Sequence, residues 1–434
     1  MNIGIIGGTR GLGKKLAFFF KNDGFNVTIT GRDESVGNLV SKELGVNYSS
    51  DNIGTVENSD IVVIAVPISS TLDVITELAP LMKQGTLLVD VTSVKEKPST
   101  VMSKVVPEGV EFIPTHPVFG PRLTDLNGQI IVLTPIVKGE WYPKVVSYLE
   151  GKNMQVIESS PVEHDKMMAI VQVLTHFSYI STAYTIAKLD IDIKDTQNFK
   201  SPIYNLMLDT IARIVSQNPH LTYSIQYENN QGEFIRDTFL EAVSELKDVI
   251  SQGDEDAFID ITSFSTKNMG DIKAALGRSD KAVNSLNYEN RILKNSIGKL
   301  IGLRHIYSGN IHVGILEDLG CDFLTLKVNK HHHKLKIFNI EILSDDELYN
   351  WRVENQIIFN TSIGVIFPEN SDYTLIEKVL EGVDDIVSVN LVDKYYGPQI
   401  GEGFVSYNFI IKYLSKSSLD IVYNILKGFG GIIR

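Results

Sequence analysis

Four short stretches carry side chains suited to chemistry. The first, Gly7-Gly8-Thr9-Arg10-Gly11-Leu12-Gly13, follows the strand-like Asn2–Ile6 and runs into helical spacing. Glycines at such a turn let the backbone approach a pyrophosphate, and the helix start offers it unpaired N–H groups. Gly8 and Gly13 take the first and third places of the G-x-G-x-x-G pattern, while Arg10 stands at the second and Gly11 restores freedom one residue later. The second stretch is Asp90-Val91-Thr92-Ser93-Val94-Lys95 and the third is Pro114-Thr115-His116-Pro117-Val118-Phe119-Gly120-Pro121. His116 lies between a strand end and a Pro-Gly-Pro loop, and imidazole is the side chain best suited to accept a proton near neutral pH. The fourth is helical: His164-Asp165, then Gln172 through Phe177 with His176 among them, then Arg213. Arg213 in an apolar helical context reads either as a cation for a substrate carboxylate or as half of an internal salt bridge. His164 on its own reads as a helix-start residue.

The end of the second strand bears on the nucleotide. Thr30 and Gly31 occupy the place where an NAD site usually carries an acid for the ribose 2′-hydroxyl, and Arg32 follows. A guanidinium there pairs with the 2′-phosphate of NADP. The other reading leaves Arg32 as a solvated loop charge and gives the ribose to Asp33. NADP is favoured over NAD. Val66 and Pro67, where the Ile61–Val66 run ends, complete the expected cofactor contacts.

The elements that must position these residues follow from period and punctuation. Asn2–Ile6, Asn26–Thr30, Ile61–Val66, Thr86–Val91 and Glu111–Pro114 read as strands, rich in Ile and Val and bounded by Gly, Asp or Pro. Gly11–Asn22, Ser35–Leu44, Ser70–Met82 and Lys97–Val105 have helical spacing between them. Such alternation predicts an α/β fold: a Rossmann-type parallel sheet over residues 1–158, with ligands at the carboxyl ends of its strands. Ser160-Pro161 reads as an N-cap followed by an N1 proline, and residues 159–280 read as all-helical. The segment Pro161–Lys188 reads as one long helix, apolar on more than one face, which calls for a second subunit and predicts a homodimer. Residues 281–358 read as a linker and a small β-rich segment. Residues 359–434 read as βαββαβ, the ferredoxin-like order.

The chain has 434 residues, 53 acidic and 40 basic, for a net charge of −13. That balance disfavours a general binder of nucleic acid or anionic membrane, since both are polyanions. A single cysteine, Cys321, excludes an intrachain disulfide and a Cys-rich zinc site. With no targeting segment and no apolar run of membrane length, the expected location is the cytoplasm. His331-His332-His333 is a poor three-ligand set, because neighbours on a strand point to opposite faces; no metal is expected.

In combination these blocks resemble prephenate dehydrogenase of tyrosine biosynthesis, most nearly its archaeal forms, over residues 1–280. The carriers are Gly7-Gly8 with Gly13, the Asp90–Lys95 block, His116-Pro117-Val118-Phe119-Gly120-Pro121, Glu163-His164-Asp165, and Gln172 through Phe177. The resemblance implies that His116 takes the proton of the substrate's ring hydroxyl. It places Ser93 near that hydroxyl and the nicotinamide, and makes His176 a second active-site histidine. Arg213, through Arg-Ile-x-x-x-Asn-Pro, becomes the grip on the ring carboxylate. The implied reaction is NAD(P)-dependent oxidative decarboxylation of prephenate to 4-hydroxyphenylpyruvate. Arogenate is the alternative substrate. Two rival readings are another β-hydroxyacid or imine reductase of Rossmann-plus-helices build, and a non-enzymatic nucleotide-sensing regulator; the set Ser93, His116 and His176 argues against both. The tail resembles an ACT domain, for which tyrosine is the expected effector. Its order is shared with the anticodon-binding domain of phenylalanine tRNA ligase and with a passive dimerisation module.

Overall fold

The computed structural model describes residues 1–199, 201–320 and 322–434; Cys321 lies outside them. The chain divides into two compact units, Met1–Ile272 and Lys273–Arg434.

The first unit opens with strands β1 (Asn2–Ile6), β2 (Asn26–Thr30), β3 (Asn47–Ser49), β4 (Ile61–Ile64), β5 (Leu87–Asp90), β6 (Glu111–Pro117), β7 (Ile130–Leu133) and β8 (Gln155–Glu158). They form one sheet in the order β3-β2-β1-β4-β5-β6-β7-β8. Neighbours run parallel except β6 and β7. Helices cover both faces, so the strands are apolar on both sides. In β1, Ile3 and Ile5 pack with Leu16, Ala17 and Ile29 on one face. Ile6 packs with Ile64, Ile75, Leu78 and Met102 on the other. The strand order reverses between β1 and β4, and ligands of such sheets bind at that switch point, outside the carboxyl ends. The turn at Gly7–Gly13 leaves β1 there, and Val66-Pro67 leaves β4.

Two differences from the sequence reading bear on the site. β6 continues through Pro117 rather than ending at Pro114, because Thr115, His116 and Pro117 pair with Leu133, Val132 and Ile131 of β7. His116 is therefore held inside a strand, not in a loop beyond it. The expected single helix over Pro161–Lys188 is also interrupted. Helix Pro161–Met168 starts as expected, with Ser160 accepting from the Glu163 N–H and Pro161 in the first turn. Residues Ala169–Leu174 then form a π-helical turn before helix Thr175–Lys188. Side chains attend to its carbonyls: Gln226 donates to the Val173 carbonyl at 2.9 Å and Thr175 to that of Ile170 at 3.3 Å. Insertions of this kind occur frequently at functional sites. On the single chain Met167, Ile170, Val171 and Tyr184 remain exposed.

In the second unit, helix Ile272–Asn295 extends the helical region past residue 280. A five-stranded sheet follows, built from β9 (Leu300–His305), β10 (Ile311–Leu319), β11 (Phe323–Val328), β12 (His331–Lys336) and β13 (Ile340–Ile342) in the order β12-β11-β10-β9-β13. The short 3₁₀ turn Ile337–Asn339 separates β12 from β13. His331, His332 and His333 lie exposed on β12. Helix Asp345–Asn355 then connects two ion pairs, Arg304 to Glu347 at 2.6 Å and Arg352 to Asp385. The tail is an antiparallel sheet of β14 (Phe359–Pro368), β15 (Ile386–Tyr395), β16 (Phe404–Tyr413) and β17 (Ile432–Ile433), ordered β15-β16-β14-β17. With helices Tyr373–Glu381 and Ser417–Gly428 this is the ferredoxin-like arrangement, around a core of Val365, Phe367, Tyr407 and Phe409.

Candidate active site

The turn after β1 is shaped by its glycines. Gly7 has φ +88°, and a Cβ on Gly13 would sit 2.5 Å from the Gly7 carbonyl oxygen, so strand and helix approach closely only without side chains. A Cβ on Gly7 would meet the Ala65 carbonyl and Val66, which places Val66 against the turn; Pro67 caps the helix Ile68–Leu78. Gly11, at φ +53°, faces open space. Helix Gly11–Asn22 has no side-chain N-cap bond from Arg10 and no acid in its first turn. Its first N–H groups and positive dipole end therefore suit a pyrophosphate. Thr9 lies against Gly31 at the end of β2.

Asp33 is already engaged. Its carboxylate caps the helix Glu34–Leu44 through the Val36 N–H at 3.1 Å, accepts from the Ser35 hydroxyl at 2.7 Å, and pairs with Arg10 at 3.5 Å. Those bonds, the Ser35 hydroxyl first, lower its pKa. Asp33 thus serves as a helix cap and an ion-pair partner, while Arg32 stands exposed beside it.

His116, only 2% exposed, sits at the head of a hydrogen-bonded row. Its Nδ1 is 2.9 Å from Nε2 of His164, and His164 Nδ1 is 2.7 Å from Oδ1 of Asp165. Asp165 in turn accepts the backbone N–H of Lys95 at 2.7 Å and that of Glu96 at 3.0 Å. These are the opening N–H groups of helix Glu96–Val105, so the helix start holds the carboxylate in place. Asn229 fastens the Asp165 carbonyl at 2.9 Å. On the other side of His116, the Gln172 amide nitrogen lies 3.3 Å from Nε2. Burial first, with the Lys95 ammonium adding to it, holds the His116 pKa well below 6.5. The ring is neutral at physiological pH.

Beneath this row lies a buried ion pair. Lys95 is fully buried; its ammonium donates to Asp90, to the Thr92 hydroxyl at 3.2 Å and to the Thr115 carbonyl at 2.6 Å. Thr92 also donates to Asp90, and Thr115 donates to the Asp90 carbonyl at 2.7 Å. The pair locks the end of β5 to β6 and fixes the turn that carries Ser93. Ser93 is half-buried, between Thr92 and Val94. His176 follows Gln172 by four residues; its Nδ1 and the Gln172 Oε1 are both buried without a partner among the described residues. Burial also lowers the His176 pKa.

The fold therefore brings His116, Gln172 and the Ser93 turn together, with His176 on the same helical segment as Gln172. It does not bring Arg213 to them. Arg213 lies on the exposed side of helix Pro202–Val215, and no hydrogen bond or ion pair joins it to this cluster among the described residues. His164, which reads from sequence as a helix-start residue, turns out to be 2% exposed and bonded to His116. The signal that could have found it is a histidine followed directly by an acid at a capped helix start. No cluster of His, Cys, Asp or Glu suited to a metal occurs among the described residues. Nor is any described helix long and apolar enough to cross a membrane.

Known proteins carry the same elements. Residues 16–158 match the family model described as prephenate dehydrogenase, nucleotide-binding domain, and residues 160–264 match its dimerization domain. The "Probable arogenate/prephenate dehydrogenase" of Methanocaldococcus jannaschii is 40% identical over 438 aligned positions, covering 100% of this chain and 97% of that protein. The "T-protein" of Haemophilus influenzae is 27% identical, covering 59% of this chain and 64% of its own length. The crystal structure of prephenate dehydrogenase from A. aeolicus, in complex with hydroxyphenyl propionate and NAD+, superposes with a TM-score of 0.51 at 20% identity, covering 62% of this chain and 97% of that one. That likeness concerns the fold. The archaeal relative spans the second unit as well, which lies beyond both family models. With a nucleotide-binding sheet, a buried neutral histidine at its crevice and an archaeal relative matching from end to end, the chain belongs to the prephenate dehydrogenase family.

Proposed function

We propose that the chain oxidises and decarboxylates prephenate to 4-hydroxyphenylpyruvate, with His116 as the proton acceptor. The observation that carries this reading is the state of His116: buried, neutral, and presenting Nε2 beside Gln172. When bound, the nicotinamide would supply the acceptor for the hydride of the hydroxyl-bearing ring carbon. His116 Nε2 takes the hydroxyl proton; as the ring carboxylate leaves as carbon dioxide, its bonding pair runs through the ring to that oxygen, which recovers the proton from His116 as the ring becomes the aromatic phenol. Aromatisation supplies the driving force, so the residues mainly orient and deprotonate. Ser93, on the turn fixed by Lys95, stands near the hydroxyl and the nicotinamide. His176 lines the same side. The residues Gly7, Gly8, Thr9, Arg10, Gly11, Leu12 and Gly13, with Val66 and Pro67, would hold the dinucleotide. Arogenate is the second substrate reading, since it differs at the side chain and not at the ring. A cofactor-reduction assay with prephenate, arogenate, NAD and NADP in all pairings tests it; no reduction with either substrate overturns it.

NADP is favoured because Asp33 is engaged as a cap and Arg32 is exposed beside the end of β2. Arg32→Ala is expected to weaken NADP by about tenfold and NAD little, as for loss of one charged hydrogen bond. Cofactor titrations of variant and wild type check this, and equal losses for both would remove Arg32 from the 2′-phosphate. The apolar helical residues Ile170, Val171 and Tyr184 are assigned to a homodimer interface, and the ferredoxin-like sheet to a regulatory module binding tyrosine. The enzyme is placed in the cytoplasm.

The pH dependence follows from the depressed His116 pKa. The base works unprotonated, so kcat/KM is expected to stay level from neutral pH down past 6.5. It falls only when the pH passes below the depressed value and the imidazole protonates. A kcat/KM profile with its acid limb at 6.5 or above would contradict this assignment.

A further inference from the structure

We propose that His164 and Asp165 are positioning residues that fix His116 in the tautomer with Nδ1 protonated and Nε2 free to accept the substrate proton. The proposal rests on the reading of His116 as the base. Both oxygens of the Asp165 carboxylate already accept a backbone N–H at a helix start, Oδ1 from Lys95 and Oδ2 from Glu96, so the carboxylate faces His164 as an acceptor. His164 Nδ1, 2.7 Å from it, must therefore carry a hydrogen. With a single hydrogen on the His164 ring its Nε2 is then an acceptor, and the hydrogen in the 2.9 Å contact is that of His116 Nδ1. His116 Nε2 is left with its lone pair free, which agrees with the Gln172 amide nitrogen 3.3 Å away as donor. Substrate hydroxyl takes the place of that weak donor. In solution a neutral imidazole is free to carry its proton on either nitrogen; here the linked groups favour one arrangement.

The same row serves the protonated state. When His116 gains the hydroxyl proton, its charge is held through His164 towards the Asp165 carboxylate, in the manner of a triad's buried acid. No proton needs to reach Asp165. Each group is nearly inaccessible, with His164 2% and Asp165 1% exposed, so water does not compete for these bonds. The three residues come from two separate places in the chain, β6 and the start of helix Pro161–Met168, and the Lys95-Glu96 backbone receives the carboxylate.

The test uses Asp165→Asn, His164→Phe and His164→Gln beside His116→Asn. Each is assayed for kcat and KM by cofactor reduction, and the His116 ring nitrogens are read by ¹⁵N NMR. Asp165→Asn can turn an amide N–H towards His164 Nδ1, which reverses both tautomers. The expected result is a drop in kcat of about 10²-fold with cofactor KM nearly unchanged, and a proton moved from His116 Nδ1 to Nε2. His164→Phe should lose as much, and His164→Gln, whose carbonyl oxygen can again accept from Nδ1, should recover most of it. Should Asp165→Asn fail to fold, the Phe and Gln pair decides alone. An unchanged tautomer with kcat within about threefold of wild type, or equal turnover in the Phe and Gln variants, overturns the proposal. Full activity in His116→Asn would instead overturn the reading of His116 as base, so the two failures are separable.

Discussion

The His116→Asn enzyme is expected to turn over about 10²–10⁴-fold more slowly than wild type while binding its dinucleotide almost as well. The asparagine amide can still donate to His164 Nε2, the atom 2.9 Å from His116 Nδ1, so the row behind it keeps a partner. Only the basic lone pair is lost. The cofactor turn at Gly7–Gly13 leaves a different strand, β1, and has no bond to His116. A fall in kcat with a steady cofactor KM is therefore the pattern that separates loss of the base from collapse of the site. Steady-state cofactor reduction with saturating dinucleotide measures it. Unchanged turnover would remove His116 from the mechanism.

Sequence period and punctuation are enough to read the sheet that carries this site, because its strands are buried on both faces and so stand out as short apolar runs. The strands missed, Asn47–Ser49, Ile130–Leu133 and Gln155–Glu158, lie at the two ends of the sheet, towards or at its edges, where Asn47, Gln155 and Glu158 dilute the apolar signal. Missing β7 also hid the extension of β6, since Thr115–Pro117 become strand only by pairing with it. The π-helical turn was illegible for another reason. Ala169-Ile170-Val171-Gln172-Val173-Leu174 has ordinary helical composition, and the widened turn is supported from afar by Gln226. His116 itself could be picked out by its position at a strand's carboxyl end. Its dependence on His164 and Asp165 could not, because those contacts span 48 residues in sequence and the link from Asp165 to Lys95 spans 70. Arg213 shows the converse: its local pattern matches a substrate-binding word, while the single chain leaves it exposed.

The largest stability effect is expected from Lys95→Met. Methionine keeps the length and apolar stem of the side chain, so the variant removes the ammonium with little change of volume. It takes the ammonium from three buried acceptors at once, the Asp90 carboxylate, the Thr92 hydroxyl oxygen and the Thr115 carbonyl, and leaves Asp90 only the Thr92 donors. Asp90 is 0% exposed and its other oxygen, Oδ1, already lacks a partner among the described residues. Removing one member of a buried pair leaves the other charge uncompensated, at a cost of about 3–5 kcal/mol. Burial lowers the pKa of Lys95 while Asp90 opposes that, which shows that the ammonium depends on this carboxylate. The double variant Asp90→Asn with Lys95→Met should accordingly be less destabilised than the sum of the two single ones, since no lone charge remains. Urea midpoints of the four proteins, with the denaturation slope held constant, give both numbers. A Lys95→Met midpoint equal to wild type would mean that the Lys95–Asp90 pair adds nothing to stability. The turn that carries Ser93, and the N–H that holds Asp165, would then owe their position to packing alone.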